Sequence, residues 1–390
     1  MSVPDDICPR PHTPPPTTTH PAAQAIYPAS VWHCESPDQV EQLLAGKLAG
    51  YAYQRDGHPN ADAFAEKCKA LHQAEETAVT SSGMSATALA LLSQTAQGDH
   101  VVVSQQLYGR TTLLLTAEAN RLGVASTLAD PYDLEAFAAA FTPNTRLAVV
   151  ETISNPRLRV ADIGALAKIC QAHGARLMVD NTFATPALCQ PLTLGASLVM
   201  ESVSKLMNGH SDVMLGLLCG HTADWGRVPL VLSAWGLTSP PFDCYLAERG
   251  LATLHLRAER AGANALHAAR FLSEQPQVAG VDYPGLAGHP DHALATRQFG
   301  GRYGSVATFH LAGGRAAVEQ FMRQAPGIPF CPSLGEPFTS LSHPASTSHR
   351  SMAPQEKAEL GISEGTIRLS LGLESPEFVA ESLAAGLKGL

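Results

Sequence analysis

Between residues 61 and 203, short and mostly apolar runs alternate with longer stretches of helical spacing. The runs lie at 77–81, 101–104, 125–128, 147–150, 176–180 and 197–203, and polar residues are few within them. Continuous apolar runs of this length fit strands buried on both faces. The intervening segments 61–72, 84–94, 111–122, 134–141 and 163–173 repeat their apolar residues at the helical period. The alternation predicts an α/β fold with a mostly parallel sheet covered by helices, which binds its ligands outside the carboxyl ends of the strands. A helical stretch at 246–274 links this region to a second one. There, short strands (306–310, 367–371) mix with helices (315–324, 376–387), predicting a smaller C-terminal α/β domain. The pattern divides the chain into an N-terminal arm over 1–60, a large domain over 61–250 and a small domain over 251–390.

The ends of this pattern carry different chemistry. Residues 1–30 hold eight prolines and only three formal charges, a composition that cannot build a packed core. Such a segment is either a tail or an arm that lies across another surface, and residues 1–15 read as a tail. The Pro- and Ser-rich stretch 326–351 reads as a loop beside a functional cleft.

Composition narrows the class. The 390 residues are 45% hydrophobic and only 16% charged, with a net charge of −9. A doubly covered sheet with wide subunit contacts accounts for so little charge, and a homo-oligomer is expected. Without a basic stripe the chain is no dedicated nucleic-acid binder. No apolar run reaches the roughly 18 residues that span a bilayer, and the start lacks the pattern of a secretory signal. Eight scattered cysteines without a C-x-x-C pair read as reduced thiols of a cytoplasmic protein, not as a disulfide frame or a zinc knuckle. Sixteen histidines form no metal-binding helical pair, so no metal is expected.

Three segments carry candidate chemistry. Lys205 follows an apolar run directly, within Ser202-Val203-Ser204-Lys205 and ahead of Asn208-Gly209-His210-Ser211-Asp212. Asp180 ends the preceding run, in Val179-Asp180-Asn181-Thr182-Phe183. Both charges fall at strand ends, where a crevice is expected. An enclosed lysine loses its proton readily and can condense with a carbonyl, and a carboxylate beside a pyridine nitrogen keeps that ring an electron sink. A plain ion pair fits the two residues equally well. The third segment, Ser81-Ser82-Gly83-Met84-Ser85, sits between a strand and a helix, where backbone N–H groups form an anion site and glycine permits close approach. A phosphate cradle, an aspartate and a lysine together meet the requirements of pyridoxal phosphate.

The motifs also make a family resemblance. They run from Tyr51-Ala52-Tyr53-Gln54-Arg55 through Ser82-Gly83-Met84, Leu107-Tyr108-Gly109 and Ser154-Asn155-Pro156 to Val179-Asp180-Asn181-Thr182-Phe183 and Ser204-Lys205. They continue through Arg249-Gly250-Leu251, Tyr283-Pro284-Gly285 and Ser333-Leu334-Gly335 to Ile367-Arg368-Leu369-Ser370. In this order, over nearly the whole chain, they resemble the cystathionine γ-synthase, cystathionine γ-lyase and methionine γ-lyase family of fold-type I pyridoxal phosphate enzymes.

The resemblance implies roles. Lys205 is similar to the lysine that carries the cofactor and moves protons, Asp180 to the partner of the pyridine nitrogen, and Tyr108 to the tyrosine that stacks on the ring and serves as acid or base. Ser82, Gly83, Met84, Ser202 and Ser204 match the phosphate cradle. Tyr53 and Arg55 match residues that reach the cofactor phosphate of a neighbouring subunit, making the arm over 1–60 a subunit-contact segment and implying a tetramer built from dimers with shared sites. Arg368 matches the clamp on the α-carboxylate of an amino-acid substrate, with Asn155 and Ser333 helping to hold substrate and cofactor. The implied activity is elimination of a γ-substituent to give a 2-oxo acid, ammonia and the leaving group. The alternatives are γ-replacement on an activated homoserine and, more remotely, a non-catalytic cofactor-binding protein.

Besides Ser204, where the family usually has Thr, four places depart from the family pattern. Pro332 stands where a Glu is common, Phe338-Thr339-Ser340 replaces Glu-Ser-Leu, Arg110 follows Tyr108-Gly109 in place of a small residue, and His58 replaces Asn. Arg110 is expected either to line the substrate pocket or to sit in an outward-facing ion pair.

Overall fold

Seven strands form the larger sheet of the computed structural model, which describes residues 19, 21–350 and 352–390. They are β1 (Glu76–Thr80), β2 (His100–Ser104), β3 (Ala125–Ala129), β4 (Thr145–Glu151), β5 (Arg176–Asp180), β6 (Leu198–Ser202) and β7 (Gly216–Gly220), in the order β1-β7-β6-β5-β4-β2-β3. Only the pairings of β7, with β1 and β6, are antiparallel; β6, β5, β4, β2 and β3 pair in parallel. The apolar runs of β2, β4 and β5 are buried on both faces: Val102, Ala148, Val150, Leu177 and Val179 pack into one core and Val101, Val103, Leu147, Val149 and Met178 into another. Side-chain alternation along each strand divides the two sets. The predicted α/β fold and mostly parallel sheet therefore stand.

The second sheet comprises β8 (Val278–Asp282), β9 (Val306–Leu311), β10 (Ser340–Ser342) and β11 (Thr366–Ser370) in the order β10-β11-β9-β8, antiparallel throughout. Helices Leu254–Ser273, Gly314–Gln324 and Pro376–Leu387 cover it through a core that includes Ala265, Phe309, Phe321 and Leu383. Strand β10 falls inside the stretch read as a loop.

Local differences from the sequence reading have identifiable causes. Strand β7 is bounded by glycines, which strand propensity disfavours, yet a Cβ at Gly216 would lie 2.1 Å from the Ser82 carbonyl oxygen, so the chain passes too close for any side chain. The expected helix 111–122 is interrupted by a π turn, Leu114–Glu118. The helical stretch 246–274 is two helices, Pro241–Leu251 and Leu254–Ser273. The break lets Arg257 donate to the carbonyls of Leu206, Met207 and Gly250, clamping the turn after Lys205.

His58, the departure from Asn, caps helix Pro59–His72. Its Nδ1 accepts from the Ala61 N–H at 3.1 Å, which leaves Nε2–H to donate to the Ser239 carbonyl at 3.0 Å. The imidazole thus does the capping work of an Asn and adds a tie to a distant loop. Within the N-terminal segment, Tyr27 N–H donates to Asn60 Oδ1 and Gln24 to the Pro59 carbonyl, so this part lies against its own chain at the start of that helix. The tail expected over residues 1–15 lies outside the described residues. Among the described residues no helix is long and apolar enough to cross a membrane.

Candidate active site

The carboxyl ends of β4, β5 and β6 open on a cavity of about 380 Å³, closed from the other side by residues 332–334, 347–348 and Arg368. The fold brings eleven of the predicted site residues to this one cavity: Ser82, Gly83, Met84, Tyr108, Asn155, Asp180, Ser202, Ser204, Lys205, Ser333 and Arg368.

One end of the cavity is built to take an anion. Ser82 caps helix Gly83–Gln94 by accepting from the Ser85 N–H, and the leading N–H groups of a helix carry partial positive charge. A Cβ on Gly83 would meet Ser202 Cβ at 2.8 Å, so helix and strand close to a separation only glycine allows. Ser204 Oγ accepts from the Leu215 N–H at 3.0 Å and donates to the Leu215 carbonyl at 3.3 Å, which fixes the hydroxyl at the cavity wall.

At the deep end stands Asp180. Thr182 donates to its Oδ1 twice, from the hydroxyl at 2.6 Å and the N–H at 3.0 Å, and Oδ2 has no donor among the described residues. Burial raises its carboxyl above the usual range, and Thr182 opposes that rise by solvating the anion. Lys205 Nζ donates to Ser333 Oγ at 2.7 Å. Burial, then the charge of Arg368, lowers the Lys205 ammonium, favouring the free amine that nucleophilic or proton-transfer chemistry needs.

Arg368, on β11, is 5% exposed. It donates to Asn155 Oδ1 at 2.9 Å and the Ser333 carbonyl at 2.8 Å, while its buried Nε has no partner. Burial brings its guanidinium down to about 10. Its two hydrogen-bond acceptors are neutral and use two of its five N–H groups, so three, Nε–H among them, are left for a carboxylate, while the Glu336 and Glu151 charges act on it from a distance.

Three predicted residues lie elsewhere. Arg110 is exposed on helix Gly109–Leu113 and does not line the cavity, whose wall there is formed by Tyr108 and Thr111. The first helical turn carries residue 110 away from the pocket, and among the described residues Arg110 makes no ion pair there. Tyr53 and Arg55 are also exposed, with the Arg55 guanidinium 5.1 Å from the Tyr53 ring, and neither lines the cavity of its own chain.

The sequence reading missed Thr182 and Glu151. Glu151 pairs in register with Asp180, is buried, and accepts from the Tyr108 N–H at 2.8 Å and the Asn155 N–H at 3.2 Å. Burial and then the Asp180 charge hold it well above the usual carboxylate range. The signal was available: Leu147-Ala148-Val149-Val150-Glu151 ends in a carboxylate just as the Asp180 strand does. Each Glu151 oxygen holds one backbone donor, and an amide has a single acceptor oxygen. Glu151→Gln should therefore leave one N–H unsatisfied and destabilise the fold by about 1–3 kcal/mol, read as a lower urea midpoint at unchanged slope.

A buried lysine whose proton is held less tightly than usual, an anion cradle, a deep carboxylate and a carboxylate-seeking arginine define a lysine-dependent enzyme whose cofactor carries a phosphate and whose substrate is an amino acid. The chain belongs to the Cys/Met metabolism pyridoxal phosphate-dependent enzyme family, whose profile matches residues 10–388. It is 39% identical over 371 residues to L-methionine gamma-lyase of Porphyromonas gingivalis, covering 94% of this chain and 93% of that protein. Over 367 residues it is 38% identical to O-succinylhomoserine sulfhydrylase of Pseudomonas aeruginosa, with 94% and 91% covered. The crystal structure of cystathionine gamma synthase from Xanthomonas oryzae in complex with cystathionine superposes with a TM-score of 0.88 at 36% identity, covering 94% of this chain and 92% of that one. The fold is that of the fold-type I pyridoxal phosphate enzymes, and the cofactor is pyridoxal 5'-phosphate. The residues present fit that group: the Gly83–Ser202 approach suits a phosphate, and Asp180 Oδ2 is free for a ring nitrogen.

Proposed function

We propose that this enzyme is a γ-lyase, which removes the γ-substituent of an L-amino acid of the methionine, cystathionine or homoserine-derived type. With water consumed, the products are a 2-oxo acid, ammonia and the protonated leaving group. The observation that carries this reading is the convergence of Lys205, Asp180 and Arg368 in one cavity. When bound, pyridoxal 5'-phosphate supplies an electron sink for negative charge developing beside the amino group.

This chain's residues do the rest. The N–H groups at Gly83 and Met84, with Ser82, Ser202 and Ser204, hold the phosphate. Asp180 places a negative charge at the deep end. Arg368, aligned by Asn155 and the Ser333 carbonyl, takes the substrate α-carboxylate through its unengaged N–H groups. Lys205 carries the cofactor and, once displaced, accepts the Cα proton, with Ser333 holding its Nζ in place. Tyr108, at the cavity mouth, protonates the departing group.

Pro332 forms the wall beside Ser333, and apart from Asp180 and Glu151 no lining residue is a carboxylate among the described residues. A leaving group with a distal ammonium finds no carboxylate on that wall, where Glu336 acts only from behind and beside Arg368, and this favours an uncharged γ-substituent. The second reading, γ-replacement, draws on the likeness to O-succinylhomoserine sulfhydrylase.

Three larger-scale features complete the proposal. The chain divides into an arm over 1–60, a cofactor domain over 61–250 and a small domain over 251–390. It assembles in the cytoplasm as a homotetramer of dimers, in which Tyr53 and Arg55 complete a neighbouring copy's phosphate site. Their exposure, and a helix Pro37–Leu44 without a single buried residue, support that assembly.

A substrate panel tests the activity: methionine, homocysteine, cystathionine, O-acyl homoserines and oxygen-linked γ-substrates, each with and without an added thiol. Release of 2-oxo acid without thiol, fastest from methionine-type substrates, is expected. Product formed only in the presence of thiol would replace this reading with the transferase.

A further inference from the structure

Behind the strand ends, on the sheet face away from the cavity, lies a polar layer that the proposed reaction does not use. Met200 and Ser202 line the cavity, so Glu201 between them points to the opposite face. Glu201 and His72, the last residue of helix Pro59–His72, are both completely buried, with His72 Nε2 3.5 Å from Glu201 Oε1. Asn181 Nδ2 donates to the same Oε1 at 3.0 Å. Glu201 Oε2 and both ring nitrogens of His72 have no hydrogen-bond partner. Asn181 is held in turn by Thr152, whose hydroxyl donates to Asn181 Oδ1 at 2.6 Å. Thr152 and Asn181 are the next residues after the two cavity carboxylates, Glu151 and Asp180.

The groups that act electrostatically on Glu201 or feel its charge are buried thiols and one carboxylate. They are Cys68 on the helix, Cys219 on β7, Cys189 after the β5 turn, and Asp180 on β5. None supplies positive charge. A carboxylate anion with a single amide donor and a bare second oxygen is uncompensated in such a place, and a protonated acid is not. Burial holds Glu201 well above the usual carboxylate range and pushes the His72 imidazole down to about 4.

We propose that Glu201 is kept as the protonated acid beside a neutral His72, and that this uncharged pair positions Asp180 through Asn181 while leaving the negative charge to Asp180. Glu201 and His72 are then positioning residues: they touch neither substrate nor cofactor, but they fix the strand end that bears the cofactor's carboxylate. The proposal rests on pyridoxal phosphate as the cofactor and is independent of whether the enzyme eliminates or replaces.

Infrared difference spectroscopy of the holoenzyme against Glu201→Gln at neutral pH tests the protonation directly. The wild type should show a protonated-carboxyl C=O band that the variant lacks; loss of a carboxylate band instead would overturn the proposal. The visible band of the bound cofactor supplies a second readout. Its pH titration should be unmoved in Glu201→Gln, and a shift of about one pH unit, a tenfold change in proton affinity, would show that Glu201 contributes charge. Gln keeps an acceptor for Asn181 and Leu does not, so Glu201→Leu should release cofactor about tenfold faster than Glu201→Gln. Equal release would remove the positioning role, and if the Leu variant does not fold, the two Gln measurements still decide the protonation.

Discussion

Lys205→Ala should replace the visible band of the lysine-bound cofactor with that of the free aldehyde and lower turnover by roughly 10⁴-fold or more, the scale expected when a nucleophile and proton carrier are lost together. The argument starts from the amine. Nζ is largely buried, faces the Arg368 charge and has Ser333 Oγ as its hydrogen-bond partner at 2.7 Å. Each factor disfavours the ammonium relative to the amine or fixes where the amine points. Alanine removes the amine and the contact with Ser333, but leaves Asp180, the Gly83 cradle and Arg368 in place. The variant should therefore still bind cofactor reversibly, and added methylamine should restore part of the activity. A variant that keeps the wild-type absorption and rate would remove Lys205 from the mechanism.

The same residue gives a pH signature in the apoprotein. Its folded pKa lies below the unfolded value, so the unfolded state binds more protons between the two. Lys205 therefore destabilises the apoprotein fully below the folded pKa, and the penalty fades as pH rises through it towards the unfolded value. Lys205→Met should remove that pH dependence, raising the apoprotein Tm at neutral pH and bringing the two proteins together at high pH.

The sheet was legible in the sequence because its strands are buried on both faces, which forces continuous apolar runs such as Val101-Val102-Val103 and Leu147-Ala148-Val149-Val150. Strand β7 was not, because backbone crowding against Ser82 selects glycine over a strand-forming residue. Strand β10 was hidden for a related reason: Ser340-Leu341-Ser342 is fully buried yet polar at two of three positions, so no hydrophobic run marks it. In the site, Lys205 and Asp180 stood out as charges at the ends of apolar runs. Glu151 and Glu201 carry the same mark, but a single charge at a strand end does not tell which sheet face it points to. Only the register does, placing Glu151 beside Asp180 within the cavity while alternation puts Glu201 behind it. Arg110 stayed open between two readings for the complementary reason: its neighbours Tyr108 and Thr111 line the cavity while the helical turn carries residue 110 outward, a difference that spacing along the sequence does not resolve.

Arg368→Ala should lower kcat/KM by about 10²–10³-fold, equivalent to about 3–4 kcal/mol, the range for a buried charge-assisted contact. The guanidinium is fixed before substrate arrives. Asn155 Oδ1 and the Ser333 carbonyl each hold one N–H of its terminal nitrogens, and the remaining N–H groups are left for an incoming carboxylate. Arg368→Lys keeps the charge but cannot reproduce the fork, so it should recover only part of the loss. Because Arg368 also anchors the Ser333 carbonyl, and Ser333 holds Lys205, a fall in rate alone would not distinguish carboxylate binding from a displaced lysine. A substrate pair separates them: the amino acid, and the amine that lacks its α-carboxylate. If Arg368 takes the carboxylate, wild type should strongly prefer the amino acid and Arg368→Ala should lose most of that preference, giving a coupling energy close to the full effect of the mutation. If the preference survives in Arg368→Ala, the arginine serves the loop at Ser333 and another group binds the carboxylate.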